Sequence, residues 1–391
     1  MKLPLEDECC GCGACAEACP RHAIALKEDT HGFTRTVVDA SLCVECGLCE
    51  RVCPQLCRVP GCSDAPSFFA ARLRDEKGLA DVSSGGVFWA LAQVVLGHGG
   101  IVYGASREGR DVVRHIRAET IDEAAGMRRS KYLLSDMSGC YESLRRDLSA
   151  GRRVLFTGTG CQVAAVRRFL PADADGLVTA EVVCHGVPSA LAWRSYVSEH
   201  EMSVGKKVVD VICRDKSAGW KNNHYRFLYD DDTSFAEPSA QNLFHFAYLH
   251  GLILRGACCT CRYAHLPRVA DLSLADFWGY CGNVIPRDDR GVSLVAANTE
   301  RGRALVEEAS PLLLVEPATE AEARSSCRHM FNAPMGNACR SEFLGELSRD
   351  GFAAAFRRWG IPLCGRKKKS RIGGLLVALA NRFCRRLGGR T

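Results

Sequence analysis

The sequence has no hydrophobic run long enough to cross a membrane, and its first residues do not resemble a secretion signal. A transmembrane helix needs roughly 20 consecutive apolar residues, and the nearest candidate, residues 372–380, is far shorter. Residues 1–8 are acidic where a signal peptide has a basic segment followed by an apolar one. The sequence also has 23 cysteines, and cysteines that stay free or bind metal indicate a reducing compartment, which predicts a cytoplasmic protein.

The chain also has no excess of positive charge outside its C-terminus. The formal net charge is +6, but residues 365–391 carry nine Lys/Arg and no Asp or Glu, so the rest has 42 basic and 45 acidic residues. A mildly acidic body does not indicate a nucleic-acid surface. Residues 158–160 (Gly-Thr-Gly) match neither a Walker nor a dinucleotide fingerprint.

The basic tail allows two interpretations. Leu375, Leu376, Leu379 and Phe383 fall at helical spacing between basic residues, as in an amphipathic helix that lies on an anionic membrane. A solvated basic tail has the same composition. The first interpretation would place the protein at the inner face of the membrane.

Cysteine is the residue in excess, with 23 copies. Two segments between Cys9 and Pro54 repeat the spacing C-x2-C-x2-C-x3-C-P, which binds two [4Fe-4S] clusters in bacterial ferredoxins. In that arrangement the fourth cysteine of each segment ligates the other cluster. We therefore assign one cluster to a first set, Cys9, Cys12, Cys15 and Cys53, and the other to a second set, Cys43, Cys46, Cys49 and Cys19. Cys10 lies between two ligands and is not predicted to be one.

Disulfide bonds and zinc binding account for the repeated segments less well than iron–sulfur clusters do. A disulfide framework requires an exported chain, which the N-terminal residues do not indicate. Zinc sites use paired C-x2-C units and do not require this longer spacing twice. The repeat therefore predicts an N-terminal redox domain.

The order of predicted elements indicates a mixed α/β (α+β) protein. Residues 1–58 are predicted to form the two-cluster ferredoxin-like domain. Residues 67–200 and 201–335 are predicted to form two parts of an α/β body, in which strands run into glycine-containing loops and then helices, a rhythm typical of parallel packing. Residues 336–391 are predicted to be a peripheral helical region that ends in the basic tail.

A serine–glycine segment and a basic cluster in the body are candidates for binding an anion. Ser83, Ser84, Gly85 and Gly86 precede a helical run, where backbone N–H groups and the helix dipole favour an anion. The same pattern also occurs as an ordinary helix N-cap. Lys131 belongs to a basic cluster that, taken alone, is typical of a protein surface.

Four scattered cysteines form a second candidate metal site. Two of them follow predicted strands in glycine-containing loops, and the other two form a C-x2-C pair. We name them the body set: Cys161, Cys184, Cys258 and Cys261. Converging loops would supply four thiolates to a third cluster, but zinc binding or free thiols explain the spacing as well.

Seven short motifs occur in a characteristic order along the body, at residues 82–88, 129–132, 156–162, 183–188, 219–221, 258–261 and 270–279. Together with the N-terminal cysteines, this ordered set resembles the beta-subunit family of coenzyme F-420 (deazaflavin) hydrogenases and dehydrogenases, over residues 1–335. The resemblance implies a third [4Fe-4S] cluster on the body set. It also implies an FAD site lined by Ser83, Ser84, Gly85, Gly86 and Lys131.

The resemblance implies an iron–sulfur flavoprotein oxidoreductase. Electrons from a ferredoxin or a partner subunit would reach FAD through the clusters and continue to the deazaflavin coenzyme or another organic substrate. Related bacterial proteins are associated with surface-polysaccharide synthesis. Precursors of surface polysaccharides are therefore further candidate electron acceptors. His185, beside Cys184, is a candidate catalytic proton relay because an imidazole titrates near neutral pH; a hydrogen-bonded structural histidine is the alternative.

Two rival functions use the same clusters. One is a non-catalytic electron-transfer subunit that feeds a partner enzyme, and the other is a cluster-based redox sensor. Only the enzyme requires an open pocket beside a flavin. A homo-oligomer is compatible with each of the three functions.

Overall fold

We describe a computed structural model that covers residues 2–5, 7–62, 65–171, 174–361 and 371–388. Within these residues, strands form a two-stranded, a three-stranded and an eight-stranded sheet. The strands are β1 Ile24–Glu28, β2 Thr34–Val38, β3 Ser67–Leu73, β4 Ile101–Glu108, β5 Val112–Ala118, β6 Val154–Thr159, β7 Leu177–Val182, β8 Val208–Asp215, β9 His224–Tyr229, β10 Ser234–Pro238, β11 Leu272–Asp276, β12 Ser293–Ala297 and β13 Leu313–Ala318.

Most of the α-helices connect or cover these strands. They are Ala14–Glu17, Leu48–Arg51, Glu76–Ala80, Val87–Gly97, Ile121–Ala124, Cys140–Ser149, Gly160–Phe169, Ala190–Val204, Leu243–Leu249, Gly256–Cys259, Glu300–Glu308, Glu320–Ser326, Arg340–Ala355 and Arg371–Gly388.

The N-terminal region repeats its backbone as well as its sequence. The residue before the second cysteine of each motif has a left-handed conformation, with φ of 73° at Gly11 and 53° at Glu45. The residue after that cysteine does too, with φ of 80° at Gly13 and 72° at Gly47. A one-turn helix then carries the third cysteine in both copies. The antiparallel hairpin β1–β2 lies between the two loops in the sequence.

The eight-stranded sheet has the order β13-β3-β12-β11-β7-β6-β4-β5. The pairs β4–β6, β6–β7 and β7–β11 are parallel, whereas the pairs at both ends are antiparallel. The predicted parallel packing therefore holds at the centre of the sheet, where helical crossovers connect β4, β6 and β7. The carboxyl ends of parallel strands share one edge, so the residues that follow β6, β7 and β11 lie along the same side of the body.

The predicted mixed α/β class is confirmed. The strands of the eight-stranded sheet come from both predicted parts of the body, and the three-stranded sheet β8–β9–β10 falls within the second part. The domain boundaries after residues 58, 200 and 335 stay predictions.

The helical C-terminal region packs into the largest hydrophobic cluster of the described residues. Phe343 and Phe352 of the helix Arg340–Ala355 are fully buried and share this cluster with Trp193 of the helix Ala190–Val204. Leu376 and Ala380 of the last helix are buried in the same cluster.

The position of the last helix bears on the predicted membrane contact. Part of its apolar face packs on the protein, whereas Leu375 is exposed. The basic run at residues 366–369 and the side chain of Phe383 lie outside what the structure describes. Among the described residues, no helix is long and apolar enough to cross a membrane.

Candidate iron–sulfur and redox site

The second set of cysteines lines one cavity near the surface. Cys19, Cys43, Cys46 and Cys49 all contribute to its wall, together with backbone and side chains of residues 44–48. Cys46 is exposed and Cys49 is buried, so the cavity lies at the edge of the domain. Four thiols around one space fit a [4Fe-4S] cluster, in which each thiolate binds a different iron.

The first set lies in the interior. Cys9, Cys12, Cys15 and Cys53 are each at most 9% exposed. Burial, together with the nearby Cys9 and Cys53 thiols, raises the pKa of Cys15 to about 12. Burial also raises the pKa of Cys53 to about 11. These thiols are protonated at neutral pH, and iron binding must displace their protons.

The fold exchanges the fourth cysteines between the two motifs. Cys19, from the first motif, lies with Cys43, Cys46 and Cys49, whereas Cys53, from the second motif, lies close enough to Cys15 to raise its pKa. This is the crossed arrangement that the sequence predicts. The assignment of each thiol as an iron ligand stays a prediction.

The first set is fastened to the body by hydrogen bonds to two backbone carbonyls, those of Cys12 and of Pro54, which follows Cys53. The Tyr141 hydroxyl donates to Cys12 O at 2.7 Å, and the Tyr263 hydroxyl donates to Pro54 O at 2.6 Å. Both tyrosines are buried. The ligand loop of the first set therefore packs directly against the body.

Cys10 connects the first set to the body set. Cys10 and Cys12 are buried in one cluster against which Cys161 packs, and hydrogen bonding to Cys12 and Cys161 lowers the pKa of Cys10. The same contact with Cys10, together with burial, raises the pKa of Cys161. Cys10 therefore lies where the ferredoxin-like region packs against the body.

The body set converges at the edge where the parallel strands end. Cys161 is the second residue of the helix after β6, and Cys184 follows β7. Burial and the nearby thiols of Cys184 and Cys261 raise the pKa of Cys258. Cys184 likewise has its pKa raised to about 11, by burial and then by Cys261 among other groups.

Backbone N–H groups are aimed at the sulfur atoms of the body set. Gly186 N donates to Cys184 Sγ at 3.2 Å, and Val187 N donates to Cys258 Sγ at 3.3 Å. Such hydrogen bonds stabilise a cluster-bound thiolate and tune the potential of the cluster. The donor set therefore fits a [4Fe-4S] cluster.

Within the part of the chain that the structure describes, no group of three or more His, Cys, Asp or Glu side chains is arranged to hold a single metal ion. A cubane does not need such a group, because its four thiolates bind four different irons.

His185 lies beside the body set but faces another histidine. Its Nδ1 is 2.8 Å from His329 Nε2, and its ring packs edge-on against Tyr248 with centroids 4.8 Å apart. Burial and then the charge of His329 lower its pKa to about 4. The catalytic role of His185 stays a prediction.

The predicted flavin segments meet at a strongly cationic place. Ser83 Oγ accepts a hydrogen bond from Ser130 N at 2.8 Å, which joins the serine–glycine loop to the basic cluster. Lys216, which the sequence reasoning missed, donates from Nζ to Ser84 O at 3.0 Å. Burial lowers the pKa of both Lys131 and Lys216 to about 7, with neighbouring arginines contributing in the same direction. An anionic group placed here would restore the charge of these lysines, so the residues fit a phosphate-bearing cofactor.

Arg214 is a second residue that the sequence reasoning missed. Its guanidinium forms a two-pronged ion pair with Asp276, at 2.5 and 2.9 Å, and Asp276 also accepts from Trp220 Nε1 at 3.0 Å. Trp220 stacks on Trp278 with centroids 4.4 Å apart. Arg214 has a φ of 60° where the β8–β9 register shifts between Ile212 and Asp215. A β-bulge re-aims a side chain, and no local sequence signal marks this one.

The two glycines of the serine–glycine segment have packing roles. A Cβ at Gly85 would lie 2.3 Å from Ala71 O, and one at Gly86, where φ is +81°, would lie 2.3 Å from the Leu73 side chain. Their lack of a side chain is thus required by neighbouring strand β3. Their place in a flavin site stays a prediction.

The fold and the cysteine sets define an iron–sulfur electron-transfer protein with a ferredoxin-type domain. Residues 151–320 match the family described as the C terminus of the coenzyme F420 hydrogenase/dehydrogenase beta subunit, and residues 8–57 match the 4Fe-4S dicluster domain. Residues 151–320 therefore carry the C-terminal domain of this beta-subunit family, and residues 8–57 carry a dicluster ferredoxin domain.

Individual relatives cover different parts of the chain. Ferredoxin-1 of Chlorobaculum tepidum is 37% identical over 67 residues, which are 16% of this chain and 100% of that ferredoxin. A ferredoxin of Chlorobaculum thiosulfatiphilum is 37% identical over 65 residues, 15% of this chain and 98% of its own length. A chain in the xenon-derivatized F420-reducing [NiFe] hydrogenase complex from Methanosarcina barkeri aligns at 18% identity and a TM-score of 0.47, over 81% of this chain and 97% of that one.

Proposed function

We propose that this protein is a flavin-dependent oxidoreductase subunit that takes electrons in at the second set and delivers them, through the first set and the body set, to an organic acceptor. The observation that carries the proposal is Cys10, which is buried with Cys12 in one cluster against which Cys161 packs. It gives the ferredoxin-like region a short sulfur connection to the body, which an independently attached ferredoxin domain would not need.

Exposure supports the direction of this path. The second set includes the exposed Cys46, whereas the first set is buried against the body. The second set is therefore open to the approach of a ferredoxin or of another partner protein. The first set is then the intermediate stage, and the body set is the exit toward the acceptor.

The cationic place around Ser83 and Lys216 is the proposed FAD site. Bound FAD would collect two single electrons and pass them on as a pair, and the chain would bind and orient its phosphates. Lys131 and Lys216 supply the cations, since their ammonium groups donate only to backbone carbonyls in the hydrogen bonds described for them. Binding an anion raises the pKa of a neighbouring lysine, so FAD binding is expected to take up protons above pH 7.

The acceptor is proposed to be the deazaflavin coenzyme or another organic molecule, such as a precursor in surface-polysaccharide synthesis. The test is anaerobic reconstitution followed by iron, sulfide and FAD analysis and by acceptor reduction, with a reduced ferredoxin as donor. Three clusters give about twelve irons per chain and two give about eight. We expect about twelve irons, one FAD and reduction of the deazaflavin coenzyme by the wild-type chain.

A comparison of two cysteine variants tests whether electrons pass through the body set. Cys161→Ser should lose about four irons and the acceptor reduction, while the signals of the two N-terminal clusters remain. Cys140→Ala removes a buried thiol outside the three sets and should keep both iron and activity. Iron without FAD in the wild-type chain would instead support the electron-transfer subunit or the redox sensor.

Contact with an anionic membrane is proposed for the part of the tail that faces away from the body. Leu375 is exposed while Leu376 packs on the protein, so only part of the helix is available. In a sedimentation assay, the full chain should pellet with anionic vesicles, whereas a chain that lacks residues 365–391 should not. Equal binding of the two chains would refute the contact.

A further inference from the structure

Arg255 is a buried arginine at the junction of the first set and the body set. It immediately precedes the helix Gly256–Cys259, which carries Cys258, and it is 1% exposed. Its backbone N–H donates to Val187 O at 2.9 Å, beside the N–H that contacts Cys258 Sγ. The backbone of Arg255 therefore lies beside Cys258 of the body set.

The side chain of Arg255 reaches the other set. Its Nη1 donates to Cys9 O at 3.1 Å and to Thr34 O at 2.9 Å. A Cβ built on Gly11 would lie 3.0 Å from Nη2, so the guanidinium packs against the loop between Cys9 and Cys12. The ring of Phe33 covers it, with its centroid 5.4 Å from Arg255 Cζ. One guanidinium thus spans the gap between the two sets.

The positive charge of Arg255 has no carboxylate partner among the described residues. Asp7, the acidic residue near this place, lies 3.9 Å from Arg35 and from Arg340 instead. The Nε of Arg255 is buried and has no acceptor. An arginine remains protonated in proteins, and a buried charge is costly unless an opposite charge compensates it.

We propose that Arg255 is the shared counter-charge of the clusters on the first set and the body set, and that it raises the reduction potential of both. This inference rests on the proposed function, because it assumes a cluster on the body set. Thiolate-ligated clusters are anionic and become more so when reduced, so a nearby cation favours the reduced state. Consistent with its reach, the charge of Arg255 opposes the rise in pKa that burial causes at both Cys9 and Cys258.

The proposed step between the first set and the body set transfers a single electron. With clusters bound to both sets, one electron would pass from the reduced cluster on the first set to the oxidised cluster on the body set, without a bond being made or broken. Arg255 is a positioning residue, which holds the Cys9 loop against the body and sets the potentials at both ends of the step.

The test is a redox titration of the reconstituted full chain, followed by electron paramagnetic resonance. In Arg255→Gln, the reduced-to-oxidised ratio of the clusters on the first set and body set should fall at least tenfold at a fixed ambient potential, which is about 59 mV for one electron. The cluster on the second set should change less than threefold. Arg255→Lys keeps the charge and should stay within threefold of the wild type at all clusters.

Arg340→Gln is the matched control. Arg340 packs on the same Phe33 ring, at 5.5 Å, but its guanidinium donates to Leu254 O rather than to the Cys9 loop. Arg340→Gln should leave the reduced-to-oxidised ratios of all clusters within threefold of the wild type. Unchanged ratios in Arg255→Gln, or equal changes at all clusters, would overturn the proposal.

Two further outcomes separate this inference from the proposed function. If Arg255→Gln fails to load iron, a tenfold fall in Arg255→Lys would overturn the charge role, and ratios within threefold would support it. If the wild-type chain binds only about eight irons, the proposed function fails at the body set. The change at the first-set cluster would then still decide whether Arg255 raises its potential.

Discussion

The two N-terminal cysteine sets have the same spacing and nearly the same backbone, yet they occupy opposite environments. Every cysteine of the first set is at most 9% exposed, whereas the second set includes the exposed Cys46 and the intermediate Cys19 and Cys43. The body covers the first loop through Tyr141 and Arg255 and leaves the second at the surface.

Under the proposed function, the difference gives separate tasks to two copies of one motif. Solvent exposure and hydrogen bonding shift the potential of an iron–sulfur cluster, so equal ligands do not imply equal potentials. The exposed set is suited to exchange electrons with a partner. The buried set is suited to pass them inward, next to Cys10 and Arg255.

The largest expected effect comes from replacing the fourth cysteine of each motif with serine. Cys53→Ser should remove the cluster of the first set although Cys53 belongs to the second motif, and Cys19→Ser should remove the cluster of the second set. Each variant should lose about four irons per chain. Cys53→Ser should also lower the melting temperature more, because the lost metal stabilises the junction with the body.

Iron analysis, electron paramagnetic resonance and thermal unfolding of the two variants measure these effects. Cys140→Ala again serves as the control for a buried thiol outside the sets. Loss of the buried cluster in Cys19→Ser, rather than in Cys53→Ser, would refute the crossed assignment.

A smaller effect is expected in thiol labelling of the iron-depleted chain. Cys46 should react with a thiolate-specific reagent before Cys15, because Cys46 is exposed whereas Cys15 is buried and its pKa is raised to about 12. A raised pKa keeps the thiol protonated as the pH increases, so at pH 9 only about one Cys15 in a thousand is the reactive thiolate. Mass spectrometry of labelled peptides at pH 7 and pH 9 measures the order; similar rates at Cys15 and Cys46 would contradict the difference in environment.

The smallest effect compares two glycines in the ligand loops. Gly11→Ala and Gly47→Ala each place an alanine at a left-handed φ, 73° and 72° respectively, which costs about 1–2 kcal/mol. A Cβ at Gly11 would also lie 3.0 Å from Arg255 and Leu134, whereas one at Gly47 meets nothing within 4 Å. Gly11→Ala should therefore lower the free energy of unfolding more. Denaturant unfolding of the iron-loaded variants measures this difference. Equal losses in the free energy of unfolding would show that Arg255 and Leu134 move aside for the added methyl group without destabilising the protein.

Part of the body could not be predicted because its polar residues are buried. The helix Ala190–Val204 escaped the sequence reasoning, since Glu199 and His200 interrupt its apolar pattern. In the structure Glu199 accepts a hydrogen bond from Ala353 N at 2.9 Å, and His200 pairs with the Tyr229 hydroxyl at 2.9 Å. Partners distant in the sequence make these polar residues acceptable inside, and local periodicity does not show them.

The sequence by itself determined the ligand chemistry of the N-terminal region. Cysteine spacing places thiols on a tight loop, and Gly13 and Gly47 allow the left-handed turn before each short helix. The family and the mixed α/β class also followed from local motifs and their order.

Only the tertiary structure decided how the two equal motifs differ. Burial of the first set, the contact of Cys10 with Cys161 and the position of Arg255 all depend on residues more than a hundred positions apart. The Arg214 bulge likewise depends on the pairing of β8 with β9. Local spacing fixes which atoms can bind iron, whereas solvent exposure and charge compensation arise from the packing of distant segments, and these set the potential and the path of the electrons.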